Sequence, residues 1–566
     1  MIDHKKIISE SIFLDNVKSE EFYSLLAPLK DASMGDYCLP CFKFAGQLKK
    51  SPTMVAEMVK DSFQKNDDIE SAEVVAGYVN FKINREKFIA NTLSYVQSRG
   101  ENFKTPKDLT SNANSTICID YSSVNIAKPF HMGHLIATTL GGSLYRIYKY
   151  LGYDVVGINH LGDWGTQFGK LIVAFKRYTS FKELEKGGID LLNKIYVRFH
   201  EDAEIEPSMN DEARKWFKKI EQGDNEALEI FEKFKQITLD ECGKIYDRLG
   251  VQFDSYNGES FYNDKLDAVV DELKAKGLLE TSDGAQVVKF ENDKYPPCLI
   301  RKSDGASLYA TRDLAAALYR KKTYNFEKCL YVVAYQQNLH FQQVFEVLSK
   351  MGHDWSKDCQ HVAFGMVSLE GGQALSTRKG NTVLLKDVLD TAEKKALDSI
   401  DEKNPSLENK EEVAKIIGTG SAIFFALRSS RIKDLEFSYD AALNFEGETG
   451  VYIQYTHARC ASILGKSKNA KQADVKKNLL DTLVNDEAFA VCKILVDYDE
   501  TIKKAALKNE PSFIARYLID LASAFNQFYV NHKVASDSAR LSLTECVKNT
   551  LKNGMELLLM KAPEKM

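Results

Sequence analysis

The sequence predicts an α/β protein: a doubly wound parallel sheet with insertions, preceded by a small α+β domain and followed by an all-helical domain. Two observations support this class. Between residues 116 and 367, short apolar runs alternate with segments of helical spacing, as in βαβ units. Beyond about residue 434 nearly the whole chain has helical spacing. At 566 residues the chain is too long for one hydrophobic core, so several domains are expected.

The composition is that of a globular protein, with 44% hydrophobic and 27% charged residues. The formal net charge of −5 argues against a chain that is basic throughout, so any contact with nucleic acid must come from local patches. The start lacks the apolar core of a signal peptide, and no apolar run approaches the ~20 residues that span a bilayer. We therefore expect a cytoplasmic protein without membrane contact.

The ten cysteines are scattered, and only Cys38 and Cys41 lie close together in the sequence. A zinc ribbon would need a second pair, which the sequence does not provide. Buried free thiols are therefore the prediction, and no protein-bound metal is expected.

The first part of the chain combines a helix-like start with an alternating apolar pattern over residues 76–83, and helical spacing resumes over 85–97. Residues 104–115 are polar, contain a proline and have no apolar period, which is typical of a linker. We expect a small accessory domain at residues 1–110.

A strand, a helix and a second strand open the predicted sheet. Residues 116–121 form a short apolar run that is typical of a buried parallel strand. Apolar residues then recur at helical spacing from Leu135 to Leu151, and Gly152 is suited to end that helix. Residues 153–159 form a second apolar run, which completes a β-α-β unit.

The turn before this helix carries the strongest functional signal, formed by His131, Met132, Gly133 and His134. A helix start offers unpaired N–H groups and the positive end of the helix dipole, and both suit phosphate. Gly133 leaves room for a nucleotide, and the two imidazoles add donors. A metal pair or two turn-capping histidines are the alternatives, but no cluster of Cys or His lies nearby to complete a zinc site.

Four later segments extend the predicted α/β region. Residues 160–170 contain three glycines and a tryptophan after a strand, so they line a ligand pocket or form a tight structural turn. Residues 181–250 are helical and heavily charged, as in an insertion between two halves of a sheet. Apolar runs at 329–334 and 361–367 predict two further strands.

Three segments carry charged or polar groups whose role is open on the residues alone. In residues 303–318, a turn leads into a helix, where Asp313 by itself would be a helix-cap carboxylate. Residues 371–381 form a glycine-flanked loop with hydroxyls and an Arg-Lys pair, as in many solvated basic loops. Residues 465–477 carry five lysines in a helical, aromatic-rich region, which suits either a solvated loop or RNA contact.

Two segments of the chain, the turn before the first helix of the sheet and the glycine-flanked basic loop, resemble the paired signatures of class I aminoacyl-tRNA synthetases. The stretch from Asn125 to His134 has the form found in arginyl-tRNA synthetases, and Ser376 to Gly380 is similar to the second signature in its Ser-Thr-Arg-Lys-Gly form. The segment 451–459 and the final residues 562–566 also look like those of arginyl enzymes. The resemblance covers essentially the whole chain.

The resemblance implies a three-part organisation and a reaction. Residues 111–433 would form a Rossmann-type catalytic domain with a helical insertion at about 181–250. Residues 1–110 would touch the tRNA elbow, and 434–566 would read the anticodon. The implied activity ligates L-arginine to tRNA(Arg) through arginyl-adenylate, consuming ATP and releasing AMP and pyrophosphate, with Mg²⁺ accompanying the nucleotide. A monomer is expected.

The resemblance also implies site residues, named here by their matching positions. The residues for catalysis are Lys128, His131, His134 and Lys379. Those for ATP are Gly133, Met366, Ser376, Thr377 and Arg378. Those for arginine are Ser123, Asn125, His131, Glu259, Tyr309, Asp313 and Gln337. In this assignment Glu259 and Asp313 bind the guanidinium, Tyr309 covers it, and the remainder hold the amino and carboxylate end.

The sequence departs from the family pattern at two places. Ala374 and Leu375 stand where the second signature usually has Lys-Met, so the usual lysine is absent. This raises the importance of Lys128 and leaves open how Arg378 and Lys379 share the role. Val124 stands where relatives often have proline, which should stiffen the loop less but removes no functional group.

Three other functions remain as alternatives. Another class I synthetase, such as the cysteinyl or glutamyl type, would share both signatures, although the cysteinyl type expects a zinc site that the scattered cysteines do not provide. A nucleotidylyltransferase would share the first signature but would not need the basic loop and the helical tail together. A tRNA-binding protein with an inactive site would not need the intact histidines.

Overall fold

The structure is a computed structural model that describes residues 3–29, 31, 34–100, 103–106, 109–110, 115–303, 309–369, 373–374, 383–444, 447–467 and 482–566. The chain divides into two compact units. The first comprises Met1–Lys104, Arg459–Tyr498 and Asp520–Leu551. The second comprises Thr105–Ala458, Asp499–Ile519 and Lys552–Met566.

Helices dominate the described residues and short strands accompany them. The helices are α1 (His4–Glu10), α2 (Ser19–Leu25), α3 (Phe42–Leu48), α4 (Pro52–Ser62), α5 (Arg85–Ser98), α6 (Gly133–Tyr150), α7 (Thr166–Tyr178), α8 (Phe181–Ile205), α9 (Ser208–Glu221), α10 (Asn225–Leu249), α11 (Leu266–Ala275), α12 (Tyr309–Tyr324), α13 (Asn338–Lys350), α14 (Leu385–Lys403), α15 (Lys410–Leu427), α16 (Tyr439–Ala442), α17 (Gly450–Lys466), α18 (Asp486–Val496), α19 (Tyr498–Lys508), α20 (Ser512–Asn531) and α21 (Ser538–Leu557). The strands are β1 (Ala27–Pro28), β2 (Tyr37–Pro40), β3 (Ile69–Val75), β4 (Tyr78–Ile83), β5 (Thr116–Asp120), β6 (Asp154–Ile158), β7 (Glu280–Ser282), β8 (Ala285–Val288), β9 (Cys298–Arg301), β10 (Lys328–Tyr331), β11 (Cys359–His361), β12 (Val367–Leu369), β13 (Gln373–Ala374) and β14 (Leu435–Phe437).

The first unit contains an antiparallel sheet in the order β1-β2-β4-β3. The predicted strand at 76–83 is observed as β4, and it pairs with β3 across a turn at Ala76, whose φ of 54° lies in the left-handed region. The alternation of the sequence reflects burial of one face, since Val79 and Phe81 are fully buried in the core of this unit.

The second unit contains the predicted parallel sheet, in the order β11-β10-β5-β6. All three pairings are parallel, so the carboxyl ends of these strands lie at one edge. In the centre of the sheet, Cys329 pairs in register with Cys118 on one side and Cys359 on the other. The doubly wound α/β class is therefore confirmed.

The predicted strand at 361–367 is wrong in its extent. Only His361 belongs to β11, and the chain then changes sheets, because β12 pairs in parallel with β14 instead. The change occurs around Gly365, whose N–H donates to the carbonyl of Arg431. A Cβ at position 365 would lie 2.3 Å from the carbonyl oxygen of Lys433, so only glycine permits this approach.

Three long helices, α8, α9 and α10, occupy residues 181–249 between the two halves of the sheet. The helix α9 packs against α7, where a Cβ at Gly169 would lie 1.9 Å from the carbonyl oxygen of Ala213. The strand-poor C-terminal region is helical as the sequence predicts, with α20 covering the apolar spacing at 513–530.

All ten cysteines are free thiols, and every one except the half-buried Cys38 is buried. Burial raises the pKa of the Cys41 thiol to about 11, which keeps it protonated. The prediction of buried free thiols is thus confirmed apart from the partial exposure of Cys38. Within the described ranges, no helix combines the length and the apolar character needed to cross a bilayer.

The helix that follows β5 packs unusually close to that strand. A Cβ at Gly141 of α6 would lie 2.2 Å from both Cβ and Cγ of Tyr121, which is itself fully buried. Nearly every residue of α6 from Leu135 to Tyr145 is buried. Gly141 therefore sets the distance between α6 and the sheet.

Replacing Gly141 with alanine should destabilise the second unit by about 1–3 kcal/mol, because the added methyl group must displace a buried ring from a filled core. The measurement is the thermal midpoint by calorimetry. Gly243→Ala in α10 is the matched control, since a Cβ there meets nothing within 4 Å; it should be neutral or stabilise slightly. Equal midpoints for Gly141→Ala and the parent would contradict the packing argument.

Candidate active site

The loop between β5 and α6 has a backbone that its surroundings hold in place. Ser122, Ser123 and Ala127 have φ values of 70°, 49° and 61°, which are uncommon for residues other than glycine. The Ser122 hydroxyl lies 2.9 Å from both Thr138 Oγ1 and the Tyr246 hydroxyl. The N–H of Ala127 donates to Thr238 Oγ1 at 2.9 Å. Strained backbone persists only where neighbours over-determine it, as they do here.

This loop is also paired with the loop that follows β6. The N–H of Gly162 donates to the carbonyl of Val124 at 2.9 Å, and the N–H of Ile126 donates to the carbonyl of Gly162 at 3.1 Å. A Cβ at position 162 would lie 2.2 Å from Asn125 Oδ1, so a larger residue there would displace the Asn125 side chain. The loop at the start of segment 160–170 therefore lies against the first loop, at the carboxyl ends of β5 and β6.

The two histidines of the first turn are oriented by backbone donors. The N–H of His131 donates to His134 Nδ1 at 3.1 Å, and the N–H of Gly133 donates to His131 Nδ1 at 3.1 Å. Because His131 Nδ1 accepts a hydrogen bond, the proton of its neutral imidazole belongs on Nε2, which is a donor. His134 Nδ1 also lies 3.3 Å from the carbonyl oxygen of His131, so either tautomer of His134 finds a backbone partner. The centroids of the two rings are 3.9 Å apart.

Electrostatics keep both imidazoles neutral. Burial lowers the pKa of His134 to about 3, with smaller contributions from His131 and Lys128. Burial also lowers the pKa of His131, and the nearby charge of Lys128 adds to this. At neutral pH the turn therefore presents neutral donors, and the positive charge comes from Lys128, whose side chain is exposed.

The first turn contacts the chain just beyond the predicted basic loop. The N–H of Met132 donates to the carbonyl of Val383 at 3.0 Å, and the N–H of Leu385 donates to the carbonyl of Phe130 at 2.9 Å. The predicted site residues Ser376, Thr377, Arg378 and Lys379 lie outside the described residues. Residues 383–385, which follow that loop in the sequence, are described and lie against the histidine turn.

Met366 lies after β11, at the same edge of the sheet. Its N–H donates to Asp434 Oδ1 at 2.7 Å, and its carbonyl accepts from the N–H of Leu435 at 2.8 Å. Its side chain is 44% exposed, so an apolar surface is available to a ligand there.

Glu259 is positioned by a buried carboxylate that the sequence reasoning did not single out. Asp163 is fully buried and accepts hydrogen bonds from the N–H of Ser260 at 2.8 Å and from the Lys235 ammonium at 3.0 Å. The N–H of Glu259 donates to the carbonyl of Leu161 at 2.9 Å. The available signal was an acidic residue between glycines at the end of a predicted strand.

Glu259 and Tyr309 line one cavity of about 540 Å³, together with Arg312. Burial raises the pKa of Glu259 to about 7, although the charge of Arg312 opposes the rise and Asp313 reinforces it. Burial also lowers the pKa of Arg312. Tyr309 is 70% exposed, which places it at the rim of the cavity.

Asp313 has a different environment from Glu259. It is the fifth residue of α12, so it is not the helix-cap carboxylate that the sequence allowed as an alternative. Its Oδ2 lies 2.6 Å from His340 Nε2. Burial alone would raise the pKa of Asp313, but the hydrogen bond and charge of His340, with His160 and Arg320, lower it overall. His340 was missed in sequence, although it follows Gln337 by one helical turn.

The remaining predicted residues lie on loops at the carboxyl ends of the strands. Gln337 ends a short 3₁₀ helix after β10 and is exposed, and Asn125 is exposed on the first loop. The Ser123 hydroxyl donates to Asp120 Oδ1 at 2.8 Å. The structure therefore gathers the first loop, Glu259, Asp313 and Gln337 at one edge of the sheet, as the class of fold requires of a ligand site.

No group of three or more His, Cys, Asp or Glu residues suited to hold a metal occurs in the part of the chain that the structure describes. The polar groups of the first turn are N–H donors and a lysine, which suit an anion. Two carboxylates of unequal pKa stand near the cavity, and they suit a cation.

Family comparisons agree with this arrangement. The model described as tRNA synthetases class I (R), catalytic domain, matches residues 101–439. The arginyl tRNA synthetase N terminal domain matches residues 5–83, and the DALR anticodon binding domain matches residues 453–566.

Individual proteins resemble the chain over its whole length. The arginine–tRNA ligase of Alkaliphilus metalliredigens is 46% identical, with 100% of each chain covered. That of Clostridium botulinum is 49% identical, with 94% of each covered. The structure of Thermus thermophilus arginyl-tRNA synthetase aligns with a TM-score of 0.78 at 26% identity, covering 96% of each chain. The resemblance predicted from the two signatures is confirmed: the chain belongs to the arginyl-tRNA synthetase family of class I aminoacyl-tRNA synthetases.

Proposed function

We propose that this chain joins L-arginine to tRNA(Arg) in two steps at the edge of the parallel sheet. Arginine and ATP first form arginyl-adenylate and pyrophosphate, and the arginyl group then passes to the terminal adenosine of the tRNA, releasing AMP. The observation that supports this most is the histidine turn, whose two imidazoles are held by backbone hydrogen bonds beside Val383.

The first step needs no general base, because the attacking carboxylate is already ionised at neutral pH. Its difficulty is the charge that builds up on the α-phosphate. We assign the imidazoles of His131 and His134 and the positive end of the α6 dipole to this charge. Lys128, with Arg378 and Lys379 of the basic loop, would neutralise the departing pyrophosphate, while Ser376, Thr377 and Met366 would contact the nucleotide.

Mg²⁺ fits this proposal as a partner of the triphosphate. The described donors around the turn are N–H groups, which would not ligate a cation, and Mg²⁺ commonly binds through substrate phosphates and water. When bound, it would supply further positive charge at the departing pyrophosphate.

For arginine, we assign Glu259 and Asp313 to the guanidinium, whose five N–H donors suit carboxylates. Tyr309, at the cavity rim, would cover it. Ser123, Asn125, His131 and Gln337 would hold the amino and carboxylate end. His340 keeps Asp313 oriented and ionised through its hydrogen bond of 2.6 Å.

We assign tRNA contact to residues 1–110 at the elbow and to 434–566 at the anticodon, with catalysis in 111–433. A cytoplasmic monomer fits this function. The direct test is pyrophosphate exchange into ATP across the amino acids, with and without tRNA. Exchange with arginine and with no other amino acid supports the proposal, whether or not it also requires tRNA. Exchange with a different amino acid would overturn it.

Changing either His131 or His134 to alanine should slow arginine activation by ~10²–10³-fold, as for the loss of one transition-state donor. The measurement is pyrophosphate exchange in the presence of tRNA. The control is His200→Ala, because His200 is exposed on α8 and lies outside the site. This variant should leave the rate unchanged. A His134→Ala rate within a few-fold of the parent would remove this role.

Asp313→Ala should raise the KM for arginine by roughly 10–100-fold while sparing the KM for ATP, because a charge-assisted hydrogen bond to the guanidinium is lost. Steady-state exchange kinetics with each substrate varied in turn measure both values. Asp271→Ala on α11 is the control, since its carboxylate is exposed and only weakly paired with Lys274. An unchanged dependence on arginine would exclude Asp313 from the pocket.

The KM for arginine should rise as the pH falls through about 7. Burial raises the pKa of Glu259 to about 7, so below this pH the carboxyl becomes protonated and no longer attracts a guanidinium. Between pH 8 and pH 6 we expect an increase of about tenfold. Glu259→Gln should give a high KM that no longer varies in this range. The KM for ATP over the same range is the internal control.

A further inference from the structure

A buried ion pair lies beneath the site and touches neither substrate in the assignment above, although the charge of Arg320 helps to lower the pKa of Asp313. Arg320 Nη2 donates to Asp120 Oδ2 at 2.7 Å. Arg320 is 1% exposed and Asp120 is 5% exposed, so both charges are almost fully removed from water. Asp120 ends β5, and Arg320 lies on α12.

The carboxylate also holds the first loop. Its second oxygen, Oδ1, accepts a hydrogen bond from the Ser123 hydroxyl at 2.8 Å. Ser123 has a φ of 49° and follows Ser122, whose φ is 70°. Asp120 is thus one of the groups that hold this strained turn in its observed conformation. The turn in turn sets where the backbone leading from Ser123 to His131 begins.

The guanidinium holds the helix that carries the arginine pocket. Arg320 lies seven residues after Asp313, which is two helical turns, so the two side chains lie on the same face of α12. Tyr309 begins the same helix. The Arg320 guanidinium also lies 5.3 Å from the centroid of the Tyr331 ring, and its Nη2 lies 3.4 Å from His160 Nδ1.

Stability does not account for this pair. Taking two charges out of water costs about as much as their attraction returns, and apolar pairs of similar volume are often at least as stable. What an ion pair provides is one defined geometry between the two elements it joins. Here those elements are α12, with Asp313 and Tyr309, and the end of β5, with Ser123.

We propose that the Asp120–Arg320 pair is a positioning element that couples the arginine pocket to the nucleotide turn, so that arginine and ATP strengthen each other's binding. The inference rests on the proposed function and extends it. Bound arginine fixes α12 through Asp313, Arg320 passes that position to Asp120, and Asp120 fixes the turn through Ser123. By linkage, the nucleotide must favour arginine by the same factor.

The test compares arginine affinity with and without a non-hydrolysable ATP analogue, by isothermal titration. We expect the analogue to tighten arginine binding to the parent by about tenfold, within the usual range of coupling between sites. The double variant Asp120→Asn/Arg320→Met leaves no unpaired buried charge and should fold. Its affinity for arginine alone should fall, because Asp313 loses the nearby charge of Arg320, so the readout is the ratio of affinities with and without the analogue, which should fall to about one.

Two further variants separate positioning from folding. Arg320→Lys keeps the charge and the single N–H to oxygen contact, so it should retain most of the enhancement. Arg214→Met removes an exposed arginine paired with Asp211 on α9, and it should behave as the parent. Should the double variant fail to fold, Asp120→Asn/Arg320→Gln is the second variant: it keeps a neutral hydrogen-bonded pair without an unpaired charge, and it should still reduce the enhancement because a neutral pair holds the two elements more weakly.

Equal enhancement in the parent and in a folded double variant would overturn the coupling, as would a parent without any enhancement. The parent titrations with arginine, together with pyrophosphate exchange, test the proposed function separately. Failure there, with no arginine binding at all, would overturn the proposed function. Arginine binding without analogue dependence would overturn only the role of the pair.

Discussion

The backbone pairing of the turn between β5 and α6 is the constraint on which the site depends. One side of the turn is held by Gly162, which exchanges hydrogen bonds with Val124 and Ile126. The other side is held by Val383 and Leu385, through the backbone of Met132 and Phe130. These contacts use main-chain groups, so they require no particular charge and no bound ligand. The proposed phosphate site is consequently in its observed conformation without a ligand, and such preorganisation is where electrostatic catalysis gains most.

In this turn, the groups that are held in a fixed orientation differ from the group that carries the positive charge. Burial lowers the pKa of both His131 and His134, so both rings are neutral, and the Nδ1 atom of each is held by backbone groups of the turn, which fixes the direction of each ring. The flexible and exposed Lys128 brings the positive charge. Protonated imidazoles in this turn would repel Lys128 and each other. Burial prevents this because it lowers the pKa of both imidazoles. In the proposed function, the absence of a lysine at position 374 makes this division more consequential, because the second signature then supplies one cation fewer.

Local patterns predicted the elements that depend on local physics. The apolar runs gave β5, β6 and β10 because strands buried on both faces need apolar side chains throughout, and the helix start at Gly133 followed from the turn before it. The groups that support the site were hidden because their partners are distant in sequence: Asp163 contacts Ser260, and Asp120 contacts Arg320 from 200 residues away. The change of sheets at Gly365 was equally hidden, since it depends on the backbone at Lys433.

The two carboxylates assigned to arginine illustrate what only the folded chain can set. Glu259 and Asp313 are the same kind of acid, yet burial raises the pKa of one to about 7, while His340 helps to lower that of the other. Asp313 is therefore charged before any substrate binds. Glu259, with its higher pKa, loses its proton more readily once a cation binds beside it. A neutral isostere of arginine would gain nothing from that ionisation and would leave Glu259 partly protonated at neutral pH. The pocket would then select for charge as well as shape, because part of its attraction exists only in the presence of a guanidinium.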